Sequence, residues 1–410
     1  MLFIITFFLI FGWKTNSIID ISAITGCVLA VQYVYLHKPW RKLRTNLPAI
    51  SLLVLTIYSL IIVLVNGITD FLPVMRAFRA LVMLVASFSL YNLYKKHYKE
   101  PISTICNHIY LSLLIHGIIM IAMYISEPLR HFVYSFTFAE SYVNLKSPFL
   151  EGYRICGLTY GLSQTAILQI FGLFLMPYIF EKQSEMPAKI SIILSFPIII
   201  ISSILSGRSG LFAALIFFPI YIILKLIISK YSIKNIFDYS KFAILSLISA
   251  AVLFYAACHF LPEKFVKNAL YSTKEIIDVF NNKSPIVNEV KPMYFLPDNL
   301  KTTIFGMGNY GRTDYFYLQS DVGWIKSIFA IGFIGSILMI LPFLWGISKA
   351  FKQRSIFGEL TIAAILIFAS SILLNCKELS LLTRNQWTIQ AILISFLSLE
   401  SSKKESGKCE

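Results

Sequence analysis

The hydrophobic residues of this chain fall into long blocks that are separated by short polar or basic stretches. Most blocks are about 17–25 residues long, the length of helix that crosses the hydrocarbon core of a bilayer. A segment in lipid must satisfy its own backbone hydrogen bonds, so we assign the blocks to helices. Twelve spans are predicted: 1–12, 17–36, 47–65, 71–92, 103–125, 158–180, 189–205, 210–228, 240–260, 322–347, 357–375 and 385–399.

Basic residues concentrate in a few of the short connections between these blocks. The connections are 38–44, 95–99, 225–241 and 349–354, which follow the second, fourth, eighth and tenth predicted spans. Because short basic connections lie on the cytoplasmic side of a membrane protein, the pattern places them all in the cytoplasm. Both chain termini and the tail 401–410 then fall on the same side. The predicted location is a bacterial inner membrane.

Two longer polar segments, 126–157 and 261–321, fall on the opposite, periplasmic side. The second carries seven basic and seven acidic residues. Its aromatic content favours a folded cap over a disordered linker, and the stretch 262–282 has an amphipathic helical pattern. We predict an all-α, polytopic membrane helix bundle that forms one integral domain. In it, 1–260 hold the first nine spans, 261–321 form a partly helical periplasmic cap, and 322–400 hold the last three spans.

The composition supports a membrane protein over a soluble one. The chain is 57% hydrophobic and 14% charged, whereas about a quarter of the residues of a soluble protein are charged. The formal charge of +15 comes from 36 basic and 21 acidic residues, and its position in loops indicates topology rather than nucleic-acid binding. The six cysteines lack the spacing of a metal site or a disulfide framework. We predict no metal site, no cofactor and no nucleic-acid partner.

Arginines occur at three predicted periplasmic positions, where the topology rule expects few basic residues. Arg208 lies in the SGRSG turn between the seventh and eighth spans. The two glycines allow a tight turn with exposed N–H groups, and the planar cation suits two-point contact with a phosphate or pyrophosphate. Arg154 lies at the boundary of the sixth span. Arg76 and Arg79 share a helix face near the start of the fourth span.

Each of these arginines also has a purely structural interpretation. Arg208 can extend along the membrane surface to lipid headgroups. Arg154 can act as an interfacial anchor or pair with Glu151. Arg76 and Arg79 can form ion pairs inside the bundle, because charges within a span are costly unless a partner, a cavity or an anion compensates them.

Two carboxylates at the periplasmic face are candidate general bases. Asp321 opens the tenth span, and Glu378 lies beside Lys377 in the last periplasmic connection. A carboxylate whose pKa is raised by burial can take the proton of a sugar hydroxyl. The alternatives are that Ser320 or Asp321 only caps a helix, and that Lys377 and Glu378 are solvated.

Two other polar features have weaker functional interpretations. The glycine-rich run 305–312 ends at Arg312 and lacks the Lys-Ser/Thr ending of a phosphate-binding loop, so it favours a turn. His116 lies within the fifth predicted span, where a lone polar residue more often hydrogen-bonds a neighbouring helix than catalyses.

Together these features resemble the O-antigen polymerases, within the group of membrane glycosyltransferases that includes the O-antigen ligases. The similar features are the SGRSG turn, the R-x-x-G-L sequence that begins at Arg154, and the large periplasmic loop. This loop ends in G-x-G and S-D-x-G-W, followed by IGFIG. The stretch Asn375-Cys376-Lys377-Glu378 is similar to a short motif near the end of such chains.

The resemblance implies a GT-C-like fold and a metal-independent, inverting glycosyltransferase. Such an enzyme joins undecaprenyl-pyrophosphate-linked oligosaccharide repeat units at the periplasmic face. Its partners are these lipid-linked oligosaccharides, membrane lipid and, where one is present, a chain-length regulator protein. Asp321 and Glu378 would be the candidate bases. The residues that would bind pyrophosphate are Arg208, Arg154, Arg76, Arg79, Arg312 and Lys377.

Two other functions stay open from the sequence. An O-antigen ligase, which transfers the glycan to the lipid A–core, uses a histidine in the large periplasmic loop, and this chain has only His259 at the start of that loop. A flippase for lipid-linked oligosaccharides is expected to show internal repeats and charges near the bilayer midplane, neither of which the sequence displays. The polymerase is therefore the favoured function.

Overall fold

The computed structural model describes residues 1–15, 19–37, 46–137, 154–228, 278, 285–313 and 316–406. The regular secondary structure in these ranges is helical, including a short 3-10 helix at Lys291–Met293, apart from an isolated bridge between Lys14 and Asp20 and the two-residue strands β1 (Arg312–Thr313) and β2 (Phe316–Tyr317), which pair antiparallel. The helices are α1 (Leu2–Phe11), α2 (Ile21–His37), α3 (Leu47–Val65), α4 (Leu72–His97), α5 (Pro101–Ile125), α6 (Glu127–Phe136), α7 (Leu162–Lys182), α8 (Met186–Ser206), α9 (Arg208–Ile228), α10 (Pro285–Val290), α11 (Leu300–Phe305), α12 (Gly323–Lys352), α13 (Arg354–Phe357), α14 (Glu359–Leu374) and α15 (Arg384–Ser406).

A helix occupies each predicted span that the structure describes, and the ninth span, 240–260, lies outside the described residues. Six of the described helices, α3, α4, α5, α7, α8 and α12, are long and apolar enough to cross a membrane. This indicates a helical membrane protein and confirms the all-α class for the described residues. The number of twelve spans and the GT-C-like arrangement stay predictions.

The helix α6 lies in a segment that the sequence indicated only as polar. Its first turn begins with Glu127 and Pro128, and the hydroxyl of Ser126 accepts a hydrogen bond from the N–H of Leu129 (3.4 Å). Both features are typical of helix N-termini. The predicted amphipathic helix 262–282 lies outside the described residues except for Asp278.

The chain forms two compact units, and each combines separate stretches of sequence. The first contains Met1–Ser22, Tyr98–Asn281 and Gln353–Ile367. In it, α5 packs against α1, α6, α7 and α8, and α7 also packs against α8 and α9. The buried side chains of Lys225 and Glu359 form an ion pair, and the hydroxyl of Tyr221 donates to the same carboxylate (3.2 Å).

The second unit contains Ala23–His97, Asn282–Lys352 and Phe368–Glu410. Here α4 packs against α3 and α15, and α12 packs against α3, α11 and α15. The units do not follow the sequence boundaries near residues 260 and 321, because each one gathers helices from both ends of the chain. The predicted division into sequence segments stays a prediction.

Helix α12 is interrupted at Gly332, where the backbone has a φ of +65°. The glycine-rich run lies against this interruption, since the N–H groups of Met307 and Gly308 donate to the carbonyl groups of Phe329 and Ala330 (2.8 and 2.9 Å). The run therefore forms a turn, as the sequence favoured. The interruption itself was not predicted, because the sequence around Gly332 continues the apolar pattern of the span.

Candidate functional site

In the first unit, the turn that carries Arg208 lies against the segment that carries Arg154. The N–H of Ile155 donates to the carbonyl of Leu205 (2.9 Å), and the hydroxyl of Ser206 donates to the carbonyl of Ile155 (2.6 Å). Two segments about fifty residues apart in sequence are thus joined next to the two arginines. This contact brings together the positions that the sequence analysis had selected separately.

The structure describes the side chain of Arg154 but not that of Arg208. Arg154 is half-buried, whereas the backbone of Arg208 begins α9 and its side chain lies outside the described part of the structure. The proximity of the two backbone segments is therefore observed. The distance between the two guanidinium groups stays a prediction.

The glycines of the turn have a packing role. A Cβ atom at Gly210 would overlap the hydroxyl of Ser203 and lie 3.0 Å from the carbonyl oxygen of Ala166. Only a glycine at this position lets α9 approach α7 and α8 so closely. Gly207 has an extended backbone with a φ of 174°, which any residue can adopt. Helix packing thus explains Gly210 independently of any ligand, whereas neither backbone conformation nor close packing requires a glycine at position 207.

His116, which is fully buried in α5, holds the chain that follows Arg154. Its Nε2 atom accepts a hydrogen bond from the N–H of Leu158 (3.1 Å), and its Nδ1 atom lies 2.6 Å from the side-chain amide of Gln169. The atom of Gln169 at this distance is Nε2. Because a neutral ring that accepts at Nε2 donates from Nδ1, the Gln169 amide has to present its oxygen at this position for the second bond to form. His116 therefore bonds a neighbouring helix, as the sequence analysis favoured.

Two further contacts fix the same segment. Gly157 has a φ of +60°, and a Cβ atom there would overlap the imidazole ring of His116. The N–H of Cys156 donates to the hydroxyl of Tyr134 on α6 (3.2 Å). The segment after Arg154 is consequently held by α5, α6 and the end of α8, so its backbone is well defined where it reaches Arg154.

In the second unit, α4 and α15 run parallel and in register. The indole N–H of Trp387 on α15 donates to the carbonyl of Ala80 on α4 (2.8 Å). Further along both helices, the rings of Tyr91 and Phe396 lie 6.2 Å apart. Since both contacts pair residues at nearly the same sequence offset, equivalent turns of the two helices lie at the same level.

This register places Arg76 and Arg384 at one level of the helix pair and Arg79 close to it. Arg384 precedes Trp387 by three residues, and Arg76 precedes Ala80 by four, so each arginine lies on the helix face that carries the contact. Arg79 lies on the adjacent turn of α4. All three side chains are half-buried. The pair that the sequence predicted at the start of the fourth span is thus extended by a third cation.

The guanidinium group of Arg76 is held by an aromatic ring. Its central carbon lies 5.0 Å from the centre of the Tyr310 ring, within the range of a cation–π interaction. Burial raises the pKa of the Tyr310 hydroxyl, and the neighbouring Arg76 offsets part of this rise. The Nη1 atom of Arg76 is buried and has no hydrogen-bond partner among the described residues.

The first candidate base, Asp321, lies at the surface. Its side chain is 66% exposed, and one carboxylate oxygen lies 2.9 Å from the Nζ atom of Lys326. The hydroxyl of Ser320 accepts from the N–H of Val322 (3.3 Å), so this serine caps the start of α12. Asp321 therefore lacks the buried environment expected of a tuned base, and its catalytic role stays a prediction.

The second candidate base, Glu378, lies in a turn that packs against the start of α12. The N–H of Trp324 donates to the carbonyl of Asn375 (3.1 Å), and a Cβ atom at Gly323 would lie 2.5 Å from the carbonyl oxygen of Glu378. Because Asp321 precedes Gly323 by two residues, the two candidate bases lie on adjoining segments. Glu378 is half-buried and is the better shielded of the two.

The remaining predicted site residues are less completely placed. Lys377 is half-buried in the same turn, and Arg312 lies in β1 with its side chain outside the described part of the structure. The hydroxyl of Tyr294 donates to the carbonyl of Cys376, which attaches the large loop to the last connection. Among the described residues, no group of three or more His, Cys, Asp or Glu side chains could hold a metal ion.

Sequence reasoning did not select Arg384, Tyr310 or Gln169 as site residues. Arg384 lies in the last predicted periplasmic connection, directly before the span 385–399, so the argument that selected Arg76 also applied to it. Tyr310 and Gln169 are identified only by their contacts with Arg76 and His116, and these contacts cannot be predicted from the neighbouring sequence.

No family model, no curated protein and no solved structure matches this chain.

Proposed function

We propose that this chain is a polysaccharide polymerase of the O-antigen type. It joins undecaprenyl-pyrophosphate-linked oligosaccharide repeat units at the periplasmic face of a bacterial inner membrane. The observation that carries the proposal is the pair of hydrogen bonds that Ile155 makes with Leu205 and Ser206, because it joins the Arg154 and Arg208 segments. The six long apolar helices supply the membrane setting.

The arginines fit the chemistry of the donor substrate. The donor is a growing glycan on undecaprenyl pyrophosphate, and negative charge builds up on the pyrophosphate as the bond to the anomeric carbon breaks. Guanidinium groups of Arg154 and Arg208 stabilise that charge through paired N–H···O contacts. The leaving group departs as undecaprenyl pyrophosphate, and this step uses no metal ion.

The acceptor reacts through a sugar hydroxyl of a second lipid-linked unit. Its oxygen attacks the anomeric carbon on the face opposite the departing pyrophosphate, so the configuration at that carbon is inverted. A carboxylate takes the hydroxyl proton as the new glycosidic bond forms. Glu378 is favoured for this step by its partial burial, and Asp321 on the adjoining segment is the alternative.

The test is a deletion of the gene in its host, complemented with variants and followed by gel analysis of the surface polysaccharide. Loss of the polymer ladder with single repeat units still attached to the lipid core is the expected result. Arg208→Ala and Arg154→Ala should each fail to restore the ladder at normal protein level. Arg354→Ala, which removes an exposed arginine from the predicted cytoplasmic side, should restore it fully.

Two results would overturn the proposal in different ways. If deletion also removes the single repeat unit from the lipid core, the chain acts as a ligase or a flippase. A complete ladder in the Arg154→Ala/Arg208→Ala double variant would show that these side chains do not bind the leaving group.

A further inference from the structure

The large loop of the second unit exposes apolar side chains beside the helices α3 and α12. Leu300 and Phe305, the first and last residues of α11, are 72% and 43% exposed. We propose that α11 enters the edge of the bilayer, where these two side chains contact the acyl chains of membrane lipid. The loop is then anchored in the membrane on its own side, whatever reaction the protein catalyses.

Two contacts with α3 set the level of α11. A Cβ atom at Gly308 would lie 3.2 Å from the Cα atom of Val63, near the end of α3. The hydroxyl of Tyr58, five residues earlier on α3, donates to the carbonyl of Phe305 (2.9 Å). Five residues correspond to about 7 Å along a helix axis. The chain between Gly308 and Phe305 therefore runs beside the last turns of α3, a helix long and apolar enough to cross a membrane.

The backbone of this stretch meets the condition that lipid imposes on irregular segments. Lipid offers no hydrogen-bond partner, so irregular backbone at membrane depth has to be bonded by the protein itself. The N–H groups of residues 306, 307 and 308 donate to carbonyl groups of α11 and α12, those of Thr302, Phe329 and Ala330 (2.8, 2.8 and 2.9 Å). The carbonyl of Phe305 is bonded by Tyr58. The chain can thus leave α11 beside lipid without exposing these polar groups to it.

The surfaces on both sides of Phe305 are themselves lipid-facing. On α3, Ile61 lies one turn from Tyr58 and is apolar and exposed. On α12, a Cβ atom at Gly332 would lie 2.6 Å from the carbonyl carbon of Phe305, and the next residue, Phe333, is again apolar and exposed. Because α3 and α12 are long and apolar enough to cross a membrane, these exposed side chains contact lipid. The exposed side of Phe305 continues the same surface.

The charges on α11 place it at the boundary of the bilayer rather than at its centre. Lys301, next to Leu300, is exposed, and so is Asp298 just before the helix. A lysine at this boundary keeps its stem in the apolar layer and extends its ammonium group to the headgroups. Leu300 and Phe305 then reach the acyl chains while the two charged groups stay in the headgroup layer.

Access of water to the two positions measures the insertion. Leu300→Cys and Phe305→Cys are introduced separately into the full chain, which is placed in phosphatidylcholine nanodiscs and treated with a charged maleimide. Peptide mass spectrometry distinguishes the new cysteine from the native ones, and the exposed Cys376 is the internal reference. The matched control is Glu289→Cys, at an exposed and charged position of α10 in the same loop. Both test positions should react at least about tenfold more slowly than this control, because the reactive thiolate forms poorly away from water.

Photo-crosslinking identifies what covers α11. A benzophenone amino acid in place of Phe305 should form adducts with phosphatidylcholine, as it should in place of Ile61 on α3, whereas the same amino acid in place of Glu289 should form none. Labelling of Leu300→Cys and Phe305→Cys as fast as that of Glu289→Cys would overturn the proposal, because water would then cover α11. Leu300 is the more exposed of the two, so the result at that position stays readable if a Phe305 variant folds poorly. Cross-links from position 305 only to a second copy of the chain, or only to another segment of the same chain, would also overturn it.

Discussion

At the scale of single residues, the segment from Arg154 to Tyr160 is held by a few buried polar contacts. The backbone N–H groups of Ile155, Cys156 and Leu158 each donate to a group on a different helix or at a helix end. Backbone groups that are buried away from water need such partners. The position of Arg154 is therefore set by its neighbours, and changes in them should be detectable without any substrate.

Cys156 gives a direct measure of this order. Burial raises the pKa of its thiol to about 11, from an ordinary value near 9.0, and the thiolate is the reactive form. At a pH of about 8, iodoacetamide should modify the exposed Cys376 and leave Cys156 unmodified in the folded protein. Peptide mass spectrometry after labelling measures both sites.

The same shift predicts how stability depends on pH. The folded protein keeps the Cys156 proton that the unfolded chain begins to lose near pH 9.0, so this group lowers stability as the pH rises from about 9 to about 11. Labelling of Cys156 should therefore increase over that range, and the Cys156→Ser variant should show a weaker pH dependence of its melting temperature. Equal labelling of Cys156 and Cys376 at a pH of about 8 would contradict the buried position.

At the scale of elements, the interruption of α12 depends on one glycine. Gly332 has a φ of +65°, and a Cβ atom there would overlap the backbone carbonyl of Ile304. A backbone group cannot turn away as a flexible side chain can. The helix break and the glycine-rich turn of the large loop therefore depend on each other.

Gly332→Ala should consequently destabilise the second unit by about 3 kcal/mol, from backbone strain and steric overlap together. Gly67→Ala is the matched control, because Gly67 has a φ of +62° but no atom lies within 4 Å of the position that its Cβ would take. That control should cost about 1 kcal/mol, the strain alone. Thermal unfolding in detergent compares the two variants, and equal losses of melting temperature would show that the overlap is relieved by movement.

The elements also show what the sequence could predict. Helix positions can be predicted from the apolar blocks because a segment in lipid has to satisfy its own backbone hydrogen bonds, and an α-helix does so. The break at Gly332 and the helix α6 could not be predicted in this way, since the first continues an apolar run and the second lies in a polar segment. For the site, single arginines could be selected from their predicted side of the membrane. Their partners could not, because the contacts of Ile155 and Tyr310 link segments distant in sequence.

At the scale of the whole molecule, the number of membrane spans decides which predicted site arginines lie on the same side of the membrane. Six of the described helices meet the length and hydropathy expected of a span, and α15 is not among them. Its first sixteen residues are largely buried within the protein, and its last turns carry Lys403 and Lys404. Whether α15 crosses the membrane therefore decides the side on which Arg384 lies relative to the tail.

Two native cysteines flank α15 and test this directly. Cys376 precedes the helix and is exposed, and Cys409 lies in the tail that the topology rule places in the cytoplasm. In intact host cells whose outer membrane has been made permeable, a membrane-impermeant maleimide should label Cys376 but not Cys409. Opening the inner membrane should add the label at Cys409.

The variants Cys376→Ser and Cys409→Ser assign each signal, since each should lose only its own label. Labelling of both cysteines before the inner membrane is opened would place the two ends of α15 on one side and contradict the predicted cytoplasmic tail, whereas a Cys376 that is labelled only after opening would move Arg384 away from the periplasmic side.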